Sequence, residues 1–368
     1  MNEDKSAKYH RLRRRASIAN TTLGIALLVL LVISGGSAAL RTFAASYFGS
    51  SFVLTLTGYV VLLALGNEVI GLPLSFYQGV TLERRYGLSN QTTVRWWLDH
   101  LKAGGVGVIF GWIAALIVVS LLRWSPDRWW IISAFVFTVI MVGLVQLAPV
   151  VLLPLFYEFK PLDREALVAR LVRLAERAGA RVMGVFEWRL SDKTKKANAA
   201  LAGIGRTRRI IISDTLLAEH SDDEIEVILA HELAHHVHRD IWKGIALETV
   251  LIALGFYLSD RVLARFAGSF GLTGKSDVAA LPLLLLAAGA VSLALMPLAN
   301  ALSRAHERRA DRYALEMTKN VPAFISAMKR LGAQNLAEEH PSKIVQWLFY
   351  SHPPVRDRIA AAQAFRLR

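Results

Sequence analysis

The chain reads EIEVILAHELAHHVHRDIWKGIALETVLIALGFYLSDRVL from Glu224 to Leu263. Its first part has apolar residues at helical spacing and contains His-Glu-Leu-Ala-His at 231–235. Positions four apart lie one above the other on a helix, so the imidazoles of His231 and His235 can bind one metal ion. Glu232 lies beside them, where its carboxylate can take a proton from water bound to that metal. This pattern is typical of a zinc peptidase, and the apolar half that follows it is long enough for a membrane span.

Two simpler explanations of the pentapeptide stay open at this point. In a chain of 368 residues with 10 His, such a string arises by chance in about one case in a hundred. Alternatively, the helix has a solvated face rich in histidine, since His236 and His238 lie on the same turns. The pentapeptide therefore favours a metal site without establishing one.

A hydrolytic zinc site normally has three protein ligands and one open position. The segment Ser303–Met317 has helical character and carries Glu307 and Asp311 four residues apart. Glu307 can complete a site of two histidines and one glutamate, and Asp311 can accept the free N–H of a ligating imidazole. The alternative is an ordinary charged helix with ion pairs at this spacing. His306 points elsewhere on the helix and is expected to be structural.

The composition indicates a membrane protein with a substantial soluble part. Mean hydropathy is positive, at +0.38, and 54% of the residues are hydrophobic although 20% are charged. Several apolar runs approach the ~20 residues needed to cross the hydrocarbon core. The predicted spans are Ile18–Leu40, Phe52–Phe76, Gly104–Leu122, Trp129–Pro154, Ile245–Leu263 and Val278–Leu298.

Lysine and arginine are distributed unevenly between the two sides of these spans. The N-terminal segment before residue 18 and the loop 77–103 are rich in both, whereas the alternate loops carry few. By the positive-inside rule, both termini and the His-Glu-Leu-Ala-His helix face the cytoplasm. The expected location is the inner membrane of a bacterium, or an ER-type membrane if the source is eukaryotic.

Charge and cysteine content exclude several classes of protein. The net charge of +14 falls largely on cytoplasm-facing segments, where anionic lipid head groups account for it, and no nucleic-acid-binding module is present. No nucleic-acid partner is therefore expected. The chain has no cysteine, which rules out disulfides, thiolate metal ligands and a cysteine nucleophile.

The predicted organisation has four parts. Residues 1–157 form an N-terminal membrane domain with about four spans, and residues 158–243 form a cytoplasmic domain that carries the His-Glu-Leu-Ala-His helix. Residues 244–300 form two further spans, and residues 301–368 form the C-terminal part of the soluble domain. Mixed helix and strand patterns in the second part predict an α+β domain.

Strand-like segments of that domain suggest how a peptide binds. Arg181–Leu190 and Arg208–Ser213 are rich in Val, Ile and Phe. The stretch Asn198–Gly203 lies just before the second of them and can form a sheet edge, to which an extended peptide can add as a further strand. A connecting turn is the alternative for this stretch. Ser221, with Glu224 at the capping-box position, is predicted to begin the metal-site helix.

Short motifs spread along the chain form an ordered set. They are Leu72-Pro73, Tyr86–Thr92, Ala148-Pro149, Leu153–Phe156, Lys160–Leu162, Asn198-Ala199, Ile211–Leu217, His231–His235, Glu307 with Asp311, Ser351–Pro354 and Arg358. This set resembles the type I CAAX prenyl protease family of integral-membrane zinc peptidases, which is related to the bacterial heat-shock membrane protease. The resemblance covers about residues 55 to 360.

The resemblance implies a role for each residue that matches a family motif. It implies one Zn²⁺ per chain with His231, His235 and Glu307 as ligands, Glu232 as general base and Asp311 as support for a ligand. It also places His352 and Arg358 near the active site, where they would steady the oxyanion or the substrate. Asn198 and Ala199 match the substrate-binding edge. From the residues alone, His352 would be an incidental loop histidine.

The fold that the resemblance implies is mostly α-helical: a polytopic membrane protein of about six to seven spans with a zincin-like α+β protease domain. Eukaryotic members have seven spans around a water-filled chamber, and this chain lacks one between its first and second predicted spans. The implied function is a zinc metalloendopeptidase resembling the CAAX prenyl proteases. Its implied partners are the lipid bilayer and a protein or peptide substrate, with or without a prenyl group. The alternatives are a quality-control protease for misfolded or unprenylated proteins and a non-enzymatic scaffold or transporter.

Overall fold

The computed structural model describes residues 2–49, 51–203 and 208–365. Within these ranges, 6 helices are long and apolar enough to cross a membrane, which is the predicted number. The mostly α-helical fold class is confirmed. The helices of the first half are α1 (Asn2–Ile33), α2 (Gly36–Phe48), α3 (Phe52–Phe76), α4 (Glu83–Arg85), α5 (Thr93–Trp124) and α6 (Trp129–Leu147).

The first predicted span, Ile18–Leu40, differs from the structure in two ways. The helix begins before Ile18, and it ends before Leu40, within the predicted range. The helix α1 already begins in the basic N-terminal segment and ends at Ile33. Gly35 follows with φ 71°, a left-handed conformation that glycine adopts at little cost and that stops the helix. The 13-residue helix α2 then covers about 20 Å at 1.5 Å per residue, which is too short to span the hydrocarbon core.

Prolines alter the helix geometry at both exits from the membrane domain. Pro73 lies inside α3, and a π-helical turn at Tyr77–Leu82 follows it. A second π-helical turn at Ala148–Leu152 contains Pro149. Proline removes one backbone donor and crowds the preceding turn, so a wider turn next to it relieves the clash. The Leu72-Pro73 and Ala148-Pro149 motifs thus mark where the spans give way to the soluble part.

The soluble part contains a small mixed sheet and several helices. The strands are β1 (Phe159–Pro161), β2 (Val185–Trp188), β3 (Ala199–Ala202) and β4 (Arg209–Ser213), in the order β1-β2-β4-β3. The pair β2 and β4 is parallel, and the two outer pairs are antiparallel. The edge strand β3 therefore pairs with β4 only, among the described strands. The helices here are α7 (Glu165–Arg177), α8 (Asp214–Glu219) and α9 (Asp222–Val237).

The remaining helices connect the soluble part to the membrane without a break. They are α10 (Asp240–Phe266), α11 (Leu281–Thr318), α12 (Val321–Gln334), α13 (Lys343–Phe349) and α14 (Val355–Gln363). The proposed domain boundaries at 243/244 and 300/301 fall inside α10 and α11. The segment Ser303–Met317 is consequently not a separate helix but the continuation of the last span. At 38 residues, α11 is about 57 Å long.

Two large apolar cores hold these parts together. One core joins α7, α9, α12 and the sheet, with Leu171, Ile210 and Phe324 fully buried. The other joins the membrane helices at the end distant from the sheet, around Trp129 and Tyr59. Many apolar side chains of the spans lie outside both cores and are exposed on the isolated chain, as expected for surfaces that face lipid.

The basic end of α1 contacts the soluble part directly. The Tyr9 hydroxyl donates a hydrogen bond to the carboxylate of Glu83, which also pairs with Lys196 at 2.9 Å. Arg14 forms an ion pair with Glu338. The N-terminal segment of α1 and the soluble part are therefore in direct contact.

Candidate active site

The helix α9 brings two histidines to one face. Its first turn has the predicted capping box, in which the Ser221 side chain accepts from the Glu224 backbone and Glu224 accepts from the Ser221 backbone. These bonds satisfy donors that a helix N-terminus leaves free. The apolar residues of α9 are buried in the soluble core. The rings of His231 and His235 consequently lie one turn apart, with centroids separated by 5.1 Å.

The third candidate ligand comes from α11. The Glu307 carboxylate approaches His231 Nε2 at 3.2 Å through Oε2 and His235 Nε2 at 3.4 Å through Oε1. These separations match the about 3.4 Å expected between two ligands that each lie about 2.1 Å from one tetrahedral ion. One ligand atom from each residue falls within 4.8 Å of the others. The predicted set of His231, His235 and Glu307 is thus brought together.

The donor set fits a divalent metal. Glu307 Oε2 is buried and receives no hydrogen bond from any described residue, although His231 Nε2 lies 3.2 Å away, and a buried carboxylate oxygen without a hydrogen bond is costly. Two neutral imidazoles and one carboxylate are a ligand set that Zn²⁺ accepts in hydrolytic sites. A metal ion at the centre of the three groups would satisfy this oxygen.

Each ligating imidazole is held from behind by a carboxylate. His231 Nδ1 lies 2.9 Å from Asp311 Oδ1, as predicted for Asp311. His235 Nδ1 lies 3.2 Å from Asp240 Oδ2. Asp240 was not identified from the sequence. Carboxylates in this position fix the tautomer and the orientation of a ligating imidazole.

The C-terminal segment adds two further groups. Arg358 donates hydrogen bonds to both carboxylate oxygens of Asp311 and lies 3.3 Å from His231 Nδ1. Its guanidinium therefore binds Asp311, the carboxylate that lies behind His231. His352 is exposed, with Nε2 3.4 Å from Glu307 Oε1 and Nδ1 2.8 Å from the Ser351 hydroxyl. Of the two predicted residues, His352 is the one that faces the cluster.

The electrostatics of the cluster fit a site for a cation and a base. Burial raises the pKa of Glu232, and the two neighbouring imidazoles oppose this shift. Burial lowers the pKa of His231, but its close contacts with the Asp311 and Glu307 carboxylates outweigh burial and raise the pKa to about 9. The carboxylates around the histidines thus favour positive charge at the centre of the site.

The edge strand β3 lies against the metal-site helix. Ala199 and Leu201 pack on the core that contains α9. Asn198 precedes the strand and is held by two hydrogen bonds of 2.9 Å each to Ser213, one through its N–H and one through its carbonyl. The predicted stretch is therefore an edge strand and not a connecting turn. Its outer edge pairs with no other described strand.

These features define the class of protein. His231 and His235 of α9 form a cluster with Glu307 of α11, and Glu232 lies beside the histidines on α9. The helix α11 continues from the last membrane span, so the cluster is attached to the bundle of membrane helices. The chain is an integral-membrane metallopeptidase with a metal cofactor.

Comparisons with known proteins identify the family. Residues 161–366 match the family described as peptidase family M48, and residues 2–158 match the one described as CAAX prenyl protease N-terminal, five membrane helices. The chain belongs to peptidase family M48. The resemblance found in the sequence motifs and the metallopeptidase class are both confirmed.

Individual relatives match over most of the chain. It is 31% identical to "Uncharacterized metalloprotease YhfN" of Bacillus subtilis, over 92% of this chain and 80% of that protein. It is 26% identical to "CAAX prenyl protease 1 homolog" of rice, Oryza sativa, over 98% of this chain and 85% of that protein. The crystal structure of S. mikatae Ste24p shares the fold with a TM-score of 0.89 at 23% identity, over 98% of this chain and 89% of that one.

The number of candidate spans differs from that of the matched N-terminal family. The matched N-terminal family has five membrane helices, whereas the corresponding part of this chain has four candidate spans. This part of the chain also contains the helix α2 (Gly36–Phe48), between the first and second spans. A helix therefore lies between the first and second spans, where the sequence predicts that a span is lacking, and at 13 residues it is too short to cross the membrane.

Proposed function

We propose that the chain is a zinc-dependent endopeptidase of the membrane, with one Zn²⁺ held by His231, His235 and Glu307. The observation that carries this proposal is the convergence of the three ligand groups from α9 and α11, together with the unpartnered oxygen of Glu307. A zinc ion held there supplies Lewis acidity, which polarises a peptide carbonyl and lowers the pKa of water to ~7.

Glu232 is the proton carrier in this proposal. It follows His231 directly in α9, and burial raises the pKa of its carboxyl toward the pH at which it works. A base whose pKa lies closer to neutrality can both accept and return a proton. Glu232 accordingly takes a proton from the attacking water and passes it to the leaving amine.

The other residues of the site hold the geometry. His352 is exposed and lies beside Glu307, so its N–H can donate to the oxyanion that develops on the substrate. Arg358 acts through Asp311, because it donates a hydrogen bond to each oxygen of that carboxylate. We assign Arg358 as a positioning residue rather than one that contacts the substrate.

The substrate binds as an additional strand on β3. The free edge of β3 offers main-chain donors and acceptors next to α9, with Asn198 and Ala199 at its start. Main-chain pairing gives affinity without requiring a particular sequence. Extended peptides therefore fit this edge, and side chains or a lipid group elsewhere on the substrate must supply selectivity.

Two substrate classes follow from this arrangement. The rice relative carries the name of a CAAX prenyl protease, which favours a prenylated C-terminal peptide whose lipid is held by the membrane part. A strand-addition edge accepts unprenylated segments equally well, which favours misfolded membrane proteins as the second class. We place the site on the cytoplasmic face, because the basic end of α1 lies on the same side as the soluble part.

Three measurements on the purified full-length chain test the proposal. Elemental analysis should find about one zinc per chain. A chelator should abolish cleavage, and added Zn²⁺ should restore it. A farnesylated CAAX peptide and the same peptide without the lipid then separate the two substrate classes by their kcat/KM. A zinc-loaded, folded chain that cleaves neither peptide, nor an unfolded membrane protein, would contradict the proposal.

A further inference from the structure

An open cavity of about 1320 Å³ lies between the second half of α11, α13 and α14. Its walls do not include His231, His235 or Glu307, so it is a different space from the metal cluster. Asp311 and Arg358 form part of the wall between the two. The cavity is not used by the proposed peptidase mechanism.

The lining of the cavity is rich in cations. It contains five Lys or Arg and three Asp or Glu: Arg308, Arg309, Arg312, Lys319 and Arg358 against Asp311, Glu316 and Asp357. Arg309 is paired with Asp240 at 3.1 Å, and Arg358 is bound to Asp311. These two charges are therefore already compensated.

Two arginines keep a largely uncompensated charge. Among the residues that the structure describes, Arg308 has no carboxylate within ion-pair distance. Arg312 reaches only Glu316, at 4.0 Å, and both side chains are well exposed, so this pair contributes little. Both arginines are exposed on α11 and line the cavity. A mobile or bound anion is the natural partner for such a pair of charges.

The cavity lies at the depth of the lipid head groups. The helix α13 exposes Ile344 (71%) and Trp347 (54%), and exposed tryptophan beside an apolar surface is typical of the membrane interface. The Asn300 side chain donates a hydrogen bond of 2.6 Å to the Leu348 carbonyl. This bond holds α13 against α11 at the point where the apolar part of α11 ends, near the exposed Leu302.

The helical rise gives the distance from this boundary to the arginines. Arg308 lies six residues beyond Leu302 and Arg312 ten, which corresponds to about 9 Å and about 15 Å along α11. The head-group layer on each side of the hydrocarbon core is about 5–8 Å thick. The Arg308 side chain, extended back toward the membrane, therefore reaches the level of the phosphates, and Arg312 lies one turn farther out on the same helix.

We propose that this cavity binds the phosphate of an anionic phospholipid, with Arg308 and Arg312 as its ligands. The acyl chains lie along the exposed apolar face formed by Leu298 and Leu302 of α11 and by Ile344 and Trp347 of α13. The excess of positive charge selects a lipid with net negative charge over a zwitterionic one, because near the surface each basic side chain adds to the attraction. The inference holds for either side of the membrane and is independent of the peptidase function.

Lipid retention tests the proposal. The full-length chain is incorporated into vesicles of equal phosphatidylglycerol and phosphatidylcholine and then extracted into mild detergent, and the lipids that stay bound are quantified by mass spectrometry. The wild type should retain phosphatidylglycerol preferentially. The double variant Arg308→Gln with Arg312→Gln should lower this retention about thirtyfold, and Arg308→Gln alone about fivefold.

A matched control separates the cavity from net charge. Arg173 and Arg181 are exposed arginines of the soluble part, and no ion pair is found for either among the described residues. The double variant Arg173→Gln with Arg181→Gln removes the same charge and should retain lipid like the wild type. The proposal is overturned if the two double variants behave alike, or if the wild type retains both lipids equally. Displacement of the retained lipid by millimolar inorganic phosphate would instead assign the cavity to free phosphate.

Discussion

Replacing Asp240 with alanine should weaken zinc binding by about 10–100-fold, although Asp240 is not a ligand. Its Oδ2 lies 3.2 Å from His235 Nδ1, and the side chain is almost completely buried. Asp240→Ala leaves this N–H without its acceptor and frees the imidazole to rotate. A charge-assisted hydrogen bond is worth about 1.5–3 kcal/mol, and tenfold in affinity corresponds to about 1.4 kcal/mol, so the two estimates agree.

The assay is a competition between the full-length chain in detergent and a chromophoric chelator for Zn²⁺. The visible spectrum of the Co²⁺-substituted protein reports separately on the geometry of the site. Because the substitution is expected to lower the affinity for zinc and not the reactivity of the zinc-loaded site, saturating Zn²⁺ should restore most of kcat in Asp240→Ala. Asp240→Asn keeps an acceptor oxygen and should lose no more than about tenfold in affinity.

Lys243 provides the matched control. Its ammonium binds the other oxygen of Asp240, Oδ1, at 3.1 Å and does not contact His235. Lys243→Gln should therefore change zinc affinity by less than about threefold. Zinc affinity of Asp240→Ala within about twofold of the wild type, with an unchanged unfolding midpoint, would refute the assignment of Asp240 as a support of His235.

Three further predictions concern the site and the contact between α1 and the soluble part. Glu232→Gln should keep zinc and lower kcat by at least about 100-fold; cleavage at near the wild-type rate would exclude Glu232 as the base. Glu307→Ala should lose zinc in elemental analysis, and unchanged metal content would exclude Glu307 as a ligand. Burial raises the pKa of Glu338, but Arg14 and Tyr350 outweigh burial and lower it. Its stabilisation is therefore complete above about pH 4.3 and is lost as the pH falls through the depressed folded pKa. Glu338→Gln should remove that part of the acid dependence of the thermal unfolding midpoint, and identical pH profiles would contradict it.

Several elements could be predicted because their signals are local in the sequence. The apolar runs identified six spans, and five of the predicted ranges lie within the candidate spans of the structure, since burial in lipid requires about twenty apolar residues wherever the span lies. The capping box at Ser221 and the four-residue spacing of His231 and His235 depend on helix geometry alone. The family motifs, which extend beyond these signals, led to the correct family and class of enzyme.

The errors have physical reasons as well. The first span was placed across Gly35 because hydropathy does not register a left-handed residue that ends a helix. The basic residues before Ile18 were excluded from the span, yet they continue α1 because Tyr9 and Arg14 find carboxylate partners far along the chain. A local sequence pattern does not predict contacts between residues so far apart in the chain.

The sequence by itself determined that this protein spans a membrane and carries a helix able to bind a metal, because both properties follow from local spacing and composition. Only the tertiary structure decided how the site is completed. It brings Glu307 to the histidines on the continuation of the last span, places Asp240 behind His235, and turns Arg358 toward Asp311. Contacts between residues that are distant in the chain depend on how helices pack, and no spacing rule along the sequence encodes that packing.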